Sequence, residues 1–310
     1  VNSFCTTENI TIERTTKGFK TYSMGLPHFE YDCPHIQNCL RSMLIKEANE
    51  YSPLHDIYGN HIYRNDYSTG KSVNSVSCPK ESWRLRICEW CFDVVDHFQF
   101  DREVVTYAMN YLDRYVAMET SSGRELTSAA FQLSAVTCIY VAMKIHGSKG
   151  SKMMDRTKKL TLSIFVELSQ GMFSSELIED SERNLLQMLS WKLNPPTPVS
   201  FVGYILDLFM VPTATQEAHL QVICDVYDKA RYLTELGASI SEISLGYKPS
   251  VIAYAAILNV MKEMDSEFYI ELSQNSFEER VFQKMSVSRQ DEEVVKARYL
   301  LSEACATHPE

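Results

Sequence analysis

The sequence predicts an all-α protein: two tandem five-helix domains preceded by an N-terminal helix. Three observations carry that expectation. The run from Leu126 to Met143 holds no charge and is apolar on every side of a helical projection, which marks a helix enclosed by other helices. A second run of the same kind, 250–258, follows Tyr247-Lys248-Pro249. Between them, Asn194-Pro195-Pro196-Thr197-Pro198 stops any helix, because proline lacks the amide and clashes with the preceding turn. Glycine and proline number only 11 and 10 in 310 residues. That scarcity favours long helices, and no segment alternates strongly enough to read as a strand.

The first 80 residues form a lead-in. Residues 1–33 lack periodicity, and Pro34 can open a helix at its first position. Ile36, Leu40, Met43, Leu44 and Ala48 then keep helical spacing to about residue 51. Residues 52–79, with Pro53, Gly59 and Gly70, read as loop.

The first domain spans 81–194. Trp83, Ile87, Trp90, Val94 and Phe98 form one apolar stripe of its first helix, with Arg86, Glu89, Asp93 and Asp96 opposite. Asp101 can cap the second helix, whose buried stripe is Val105, Met109, Leu112 and Val116. The enclosed helix, 126–144, comes third. Gln132, Ser134 and Thr137 interrupt it, which argues for a protein core around it rather than lipid. It closes on Lys144, a cation suited to the negative end of the helix dipole. A basic loop, 147–159, leads to a short helix at 160–169 and a longer one at 174–193. The second domain spans 195–310, with helices at about 198–209, 215–235, 249–264, 275–285 and 290–306.

The net charge of −10 argues against a protein that binds nucleic acid by neutralising phosphates. Nine cysteines without framework spacing read as reduced thiols. Cys88-Glu89-Trp90-Cys91 matches a CxxC pattern but falls mid-helix, where packing is the simpler role. No Gly-rich phosphate loop and no metal-ligand spacing is present, so no cofactor is expected. No stretch reads as a signal peptide or a membrane span.

Four charges fall on or beside apolar faces: Arg84, Asp113, Lys144 and Glu182. A buried unpaired charge is costly, so opposite signs suggest two pairs. Arg84 with Asp113 would join adjacent helices. Lys144 with Glu182 would sit at the mouth of the first domain.

These residues stand in segments that resemble the cyclins, in particular divergent cell-cycle A/B-type members. Trp83-Arg84-Leu85-Arg86-Ile87-Cys88-Glu89-Trp90 is similar to the opening of the cyclin box. Asn110-Tyr111-Leu112-Asp113-Arg114-Tyr115 looks like its second helix, and Phe131-Gln132-Leu133 through Lys144 like its third. Glu182, nine residues before Trp191, looks like its fifth helix. The resemblance implies two tandem cyclin-box folds. It implies a regulatory subunit, not an enzyme, that binds a cyclin-dependent Ser/Thr kinase as a 1:1 heterodimer and activates it allosterically in cell-cycle control. Arg84 and Asp113 would be the structural ion pair. Lys144 and Glu182 would face the kinase, with Ile145, Trp191 and Leu193 supplying apolar area. A docking groove for Arg-x-Leu peptides would be carried by Trp83, Ile87, Trp90, Asp93 and Gln132, although packing alone also accounts for the tryptophans. Nucleus and cytoplasm are the expected locations, with no direct nucleic-acid or membrane partner.

The chain departs from the family pattern in three places, one of them a longer connection before the central helix. Ile145-His146-Gly147 stands where an aromatic and an acidic pair are usual, and Arg86 replaces an aliphatic groove residue. A different class of function on the same fold is a transcription-associated adaptor.

Overall fold

In the computed structural model, residues 34–54, 57–58, 81–147, 160–209, 216–263 and 271–307 are described. The lead-in 1–33, most of the loop 52–79 and nearly all of the basic loop 147–159 lie outside them. The described residues form helices and no strands: α1 (Pro34–Glu50), α2 (Glu81–His97), α3 (Glu103–Ser121), α4 (Ser128–His146), α5 (Leu162–Leu168), α6 (Ser175–Met188), α7 (Pro198–Leu206), α8 (Gln216–Ser239), α9 (Ser241–Gly246), α10 (Pro249–Glu263), α11 (Glu271–Met285) and α12 (Glu292–Thr307).

Two compact units emerge, and they do not follow chain order. The first gathers the described residues of 53–197 with Gly237–Gly246. The second gathers α1, the described residues of 198–236 and those after Tyr247. A single cut near residue 195 therefore does not separate them. Helix α1 packs with α7 and α11, and 237–246 supplies acceptors to Arg84, described below.

In the first unit α4 is the hub. It packs against α3, α6 and α2. Its length and composition would suffice to cross a membrane, yet residues 134–143 are buried throughout. Phe131, Val136, Ile139, Val141 and Met143 are at most 1% exposed. Each such side chain contributes roughly 1.5–3 kcal/mol through removal from water. Thr127 caps the helix by accepting from the Ala130 amide at 3.2 Å. Asp101, one residue before the Arg102 N-cap of α3, accepts from the Glu103 amide at 2.8 Å and so serves a free N–H of the first turn. Helix α4 runs to His146, past Lys144. Helix α6 stops at Met188, short of 193, because Ser190 and Trp191 turn left-handed, at φ 51° and 60°. Residues 189–193 form a strap instead.

In the second unit α10 is the hub, buried from Ser250 to Val260 and packed on α7 and α12. Pro249 opens it, as proline does at a first helical position. Helix α9, of six residues, was not expected; it is too short for apolar periodicity to register.

Candidate partner-binding site

The site is built from the last turn of α4, the middle of α6 and the strap that follows α6. Thr137 on α4 donates to the Ser181 hydroxyl on α6 at 2.9 Å, fixing the two helices against each other about two turns before Lys144 on α4 and one residue before Glu182 on α6. Next along α6, Glu182 Oε1 accepts from Lys144 Nζ at 3.1 Å. The lysine side chain remains 54% exposed and the glutamate only 16%. The ammonium also lies 5.3 Å from the centroid of the Tyr140 ring, one turn back on α4. Burial alone would lower the Lys144 pKa, but the hydrogen bond and charge of Glu182, with Tyr140, outweigh it and raise the value. The cation is firmly held and still presents N–H groups outward.

Apolar surface flanks this pair. Ile145 is 42% exposed and Trp191 68%, and Leu193 is half-buried. The strap that carries Trp191 and Leu193 is fastened to α4 and α3. His146 Nε2 lies 2.9 Å from the Leu193 carbonyl oxygen and 2.8 Å from the Tyr111 hydroxyl. Tyr111 donates to the same carbonyl. Arg114 donates to the Lys192 carbonyl at 2.7 Å and to the Leu189 carbonyl at 3.2 Å. The strap therefore leaves from the same end of the first unit as Lys144 and Ile145.

The buried pair lies in the core of this unit. Arg84 Nε and Nη2 donate to the two carboxylate oxygens of Asp113, each at 2.9 Å. Nη2 also donates to Ser244 Oγ at 2.9 Å. Nη1 donates to the carbonyls of Ala238 at 3.0 Å and Ser239 at 3.3 Å. All five guanidinium N–H groups are thus used. Tyr58 donates to Asp113 Oδ1 at 2.7 Å. The two charged side chains are 1% and 4% exposed. Burial works against the Arg84 charge, but Asp113 outweighs it and the pKa is raised.

On α2, Trp83 is half-buried with its ring 5.8 Å from that of Phe131, which ties α2 to α4 beside Gln132. Ile87 is 5% exposed. Trp90 and Gln132 are half-buried, whereas Asp93 and Arg86 are exposed. Both tryptophans pack against the core of the unit, and Asp93 is not hydrogen-bonded to Gln132. Cys88 and Cys91 are 0% and 1% exposed. Burial pushes the Cys88 thiol up to about 12 and raises Cys91 as well, so neither supplies a thiolate nucleophile.

Sequence reasoning missed Tyr140, Tyr111, Arg114 and the role of His146. Tyr140 had a usable signal, its position four residues before Lys144. The other three act on backbone carbonyls, which side-chain patterns do not encode.

Residues 58–194 match the family model for the cyclin N-terminal domain. Cyclin-D4-2 of Arabidopsis thaliana is 27% identical over 204 residues, covering 65% of this chain and 62% of that protein. Cyclin-D2-2 of Oryza sativa subsp. japonica is 28% identical over 59% of this chain and 46% of that protein. The G2/mitotic-specific cyclin S13-6 of Glycine max is 27% identical over 57% of this chain and 34% of its own length. These matches thus span from about a third to about three fifths of the relatives. A solved viral cyclin from herpesvirus saimiri shares the fold, with a TM-score of 0.53 at 17% identity over 73% of this chain and 86% of that one.

Proposed function

The chain is a divergent cyclin, and from that premise we propose that it binds a cyclin-dependent Ser/Thr kinase as a 1:1 heterodimer and activates it in cell-cycle control. One observation carries the reading: the Lys144–Glu182 pair is held at 3.1 Å between two packed helices while most of Lys144 faces solvent. A charge pair so positioned can satisfy polar backbone groups of a partner and fix its orientation. Exposed Ile145 and Trp191, with Leu193 beside them, supply the apolar area that such an interface buries.

The mechanism is a shift of population. The cyclin binds one arrangement of the kinase better than the other, and the difference in affinity sets the shift. In that arrangement the kinase's regulatory helix is positioned so that its glutamate pairs with the ATP-site lysine. The cyclin supplies no catalytic group. Free, buried thiols at Cys88, Cys91 and Cys138 support a reducing compartment, nucleus or cytoplasm.

The test is a Lys144→Ala/Glu182→Ala double variant in a pull-down with kinase identification, followed by histone phosphorylation. The ammonium end of the pair faces solvent, Lys144 being 54% exposed, and such a pair contributes about 0–1 kcal/mol to folding, so the variant is expected to fold. It is expected neither to capture nor to activate the kinase. Full activation by the variant overturns the assignment. A docking role for Arg-x-Leu peptides on the α2 face rests on exposed Asp93 beside half-buried Trp90. Unchanged peptide affinity in an Asp93→Lys variant removes it.

A further inference from the structure

Trp191 is the most exposed of the large apolar side chains among the described residues, at 68%, yet its backbone is among the most constrained. Ser190 and Trp191 are consecutive non-glycine residues at φ 51° and 60°. Such a conformation is strained for residues with a Cβ and persists only where the surroundings over-determine it. The surroundings here do so. The Ser190, Trp191 and Lys192 amides bond back to Gln187, Leu186 and Leu189. The Leu189 and Lys192 carbonyls accept from Arg114. The Leu193 carbonyl accepts from Tyr111.

The second group at that carbonyl is His146 Nε2, at 2.9 Å. A carbonyl oxygen only accepts, and the Tyr111 proton already points to it, so Nε2 must carry the hydrogen. The Nε2–H then serves both Leu193 O and the Tyr111 oxygen, 2.8 Å away. The imidazole is itself fixed: it is 5% exposed and stacks on Tyr107 at 3.7 Å and 6°. Gly147 behind it lets Phe100 approach, since a Cβ there would lie 2.3 Å from Phe100 Cε1.

We infer that His146, Tyr111 and Arg114 are positioning residues that hold the strap 189–193 in its strained form and so present Trp191 as a preorganised anchor for the partner. The inference rests on the kinase-binding reading for the identity of that partner, and on geometry alone for the lock. A tryptophan held ready loses little freedom on binding, and affinity is gained through that saving. It also accounts for the departure at Ile145-His146-Gly147: the buried histidine faces inward and braces the site.

The test uses the full chain labelled with 5-fluorotryptophan, whose three resonances 19F NMR resolves, Trp191 being assigned through Trp191→Phe. In His146→Leu the Trp191 resonance is expected to narrow and move toward the position of free tryptophan, while those of Trp83 and Trp90 stay in place. Kinase affinity is expected to fall about tenfold. His146→Gln keeps an N–H donor near Nε2 and is expected to restore both. Arg114→Met, at a half-buried position, carries the same test should His146→Leu not fold. A Trp191 resonance unchanged in the variants overturns the lock. If the resonance moves but the unsubstituted chain captures no kinase, the lock stands and the kinase reading falls.

Discussion

Glu47 and Ser250 stand 203 positions apart, and the first caps the helix of the second. One Glu47 carboxylate oxygen accepts from the Ser250 amide at 2.7 Å, the other from the Ser250 hydroxyl at 2.6 Å. Both residues are buried, at 3% and 2% exposure. The carboxylate faces the N-terminus of α10, where the helix dipole favours a negative charge. This contact, made from α1, anchors the N-terminal helix to the hub of the second unit.

Glu47→Ala leaves a buried amide and a buried hydroxyl without an acceptor, at a cost of about 2–3 kcal/mol. Glu47→Gln costs less, because its oxygen serves the amide and its nitrogen can donate to the hydroxyl. Burial raises the Glu47 pKa despite the opposing Ser250 bonds and the Lys248 charge. A raised carboxyl pKa means a contribution fully present below the unfolded value and lost as pH rises through the folded one. The glutamine variant should therefore approach or match the parent at neutral pH and fall below it in acid. Urea denaturation at several pH values checks both substitutions.

The Arg84–Asp113 pair calls for the opposite expectation in a single and a double variant. Arg84→Met strands the Asp113 carboxylate with only Tyr58, and Asp113→Ala strands a guanidinium. Each should cost about 3–5 kcal/mol. The double variant should cost far less than the two added, because the second change removes the charge the first left unpaired. Denaturant midpoints for the four proteins of the cycle give the coupling. A coupling near zero would mean that Ser244 and the 238–239 carbonyls, and not Asp113, hold the arginine.

Why these charges were legible in the sequence, while the groups around them were not, follows from what each touches. Arg84, Asp113, Lys144 and Glu182 interrupt apolar periodicity, and an interrupted pattern demands a partner. The enclosed helices showed themselves because α4 and α10 have no polar face to give water. The partners of Arg84 at Ala238 and Ser239 are main-chain carbonyls, which no side-chain spacing announces. The left-handed turn at Ser190 and Trp191 carried no glycine to mark it. Periodicity gave α1 an apolar stripe but could not say which unit would bury it. Glu47 settles it, a charge among the apolar positions of α1 that bonds to Ser250.

Gly147 gives a prediction of shape alone. An added Cβ would meet Phe100 Cε1 at 2.3 Å and the Met143 carbonyl oxygen at 2.4 Å. Its φ is −67°, so conformation is no obstacle and the clash decides. Gly147→Ala should destabilise by about 1–3 kcal/mol, as overpacking does. Phe100→Leu, costly by itself, should recover part of that loss in the double variant. Thermal unfolding of the three variants checks this, and simple additivity would place the strain elsewhere.

Asp207 follows the last turn of α7, its amide bonding to the Gly203 carbonyl at 3.1 Å. A carboxylate there meets the negative end of the helix dipole and is half-buried. Burial raises its pKa from 3.8 to about 6. The neutral acid is thus the form that suits the fold. Its contribution is complete below about pH 4 and is lost as pH rises through about 6. At pH 7.5 the parent carries a charge in a place that disfavours it. Asp207→Asn should then be the more stable protein, by about 1–2 kcal/mol once solvent screening of a half-buried group is allowed for. The gain should shrink through pH 6 and vanish near pH 4. Chemical denaturation of both proteins across that range measures it, and a gain that held constant with pH would trace the effect to packing instead of charge.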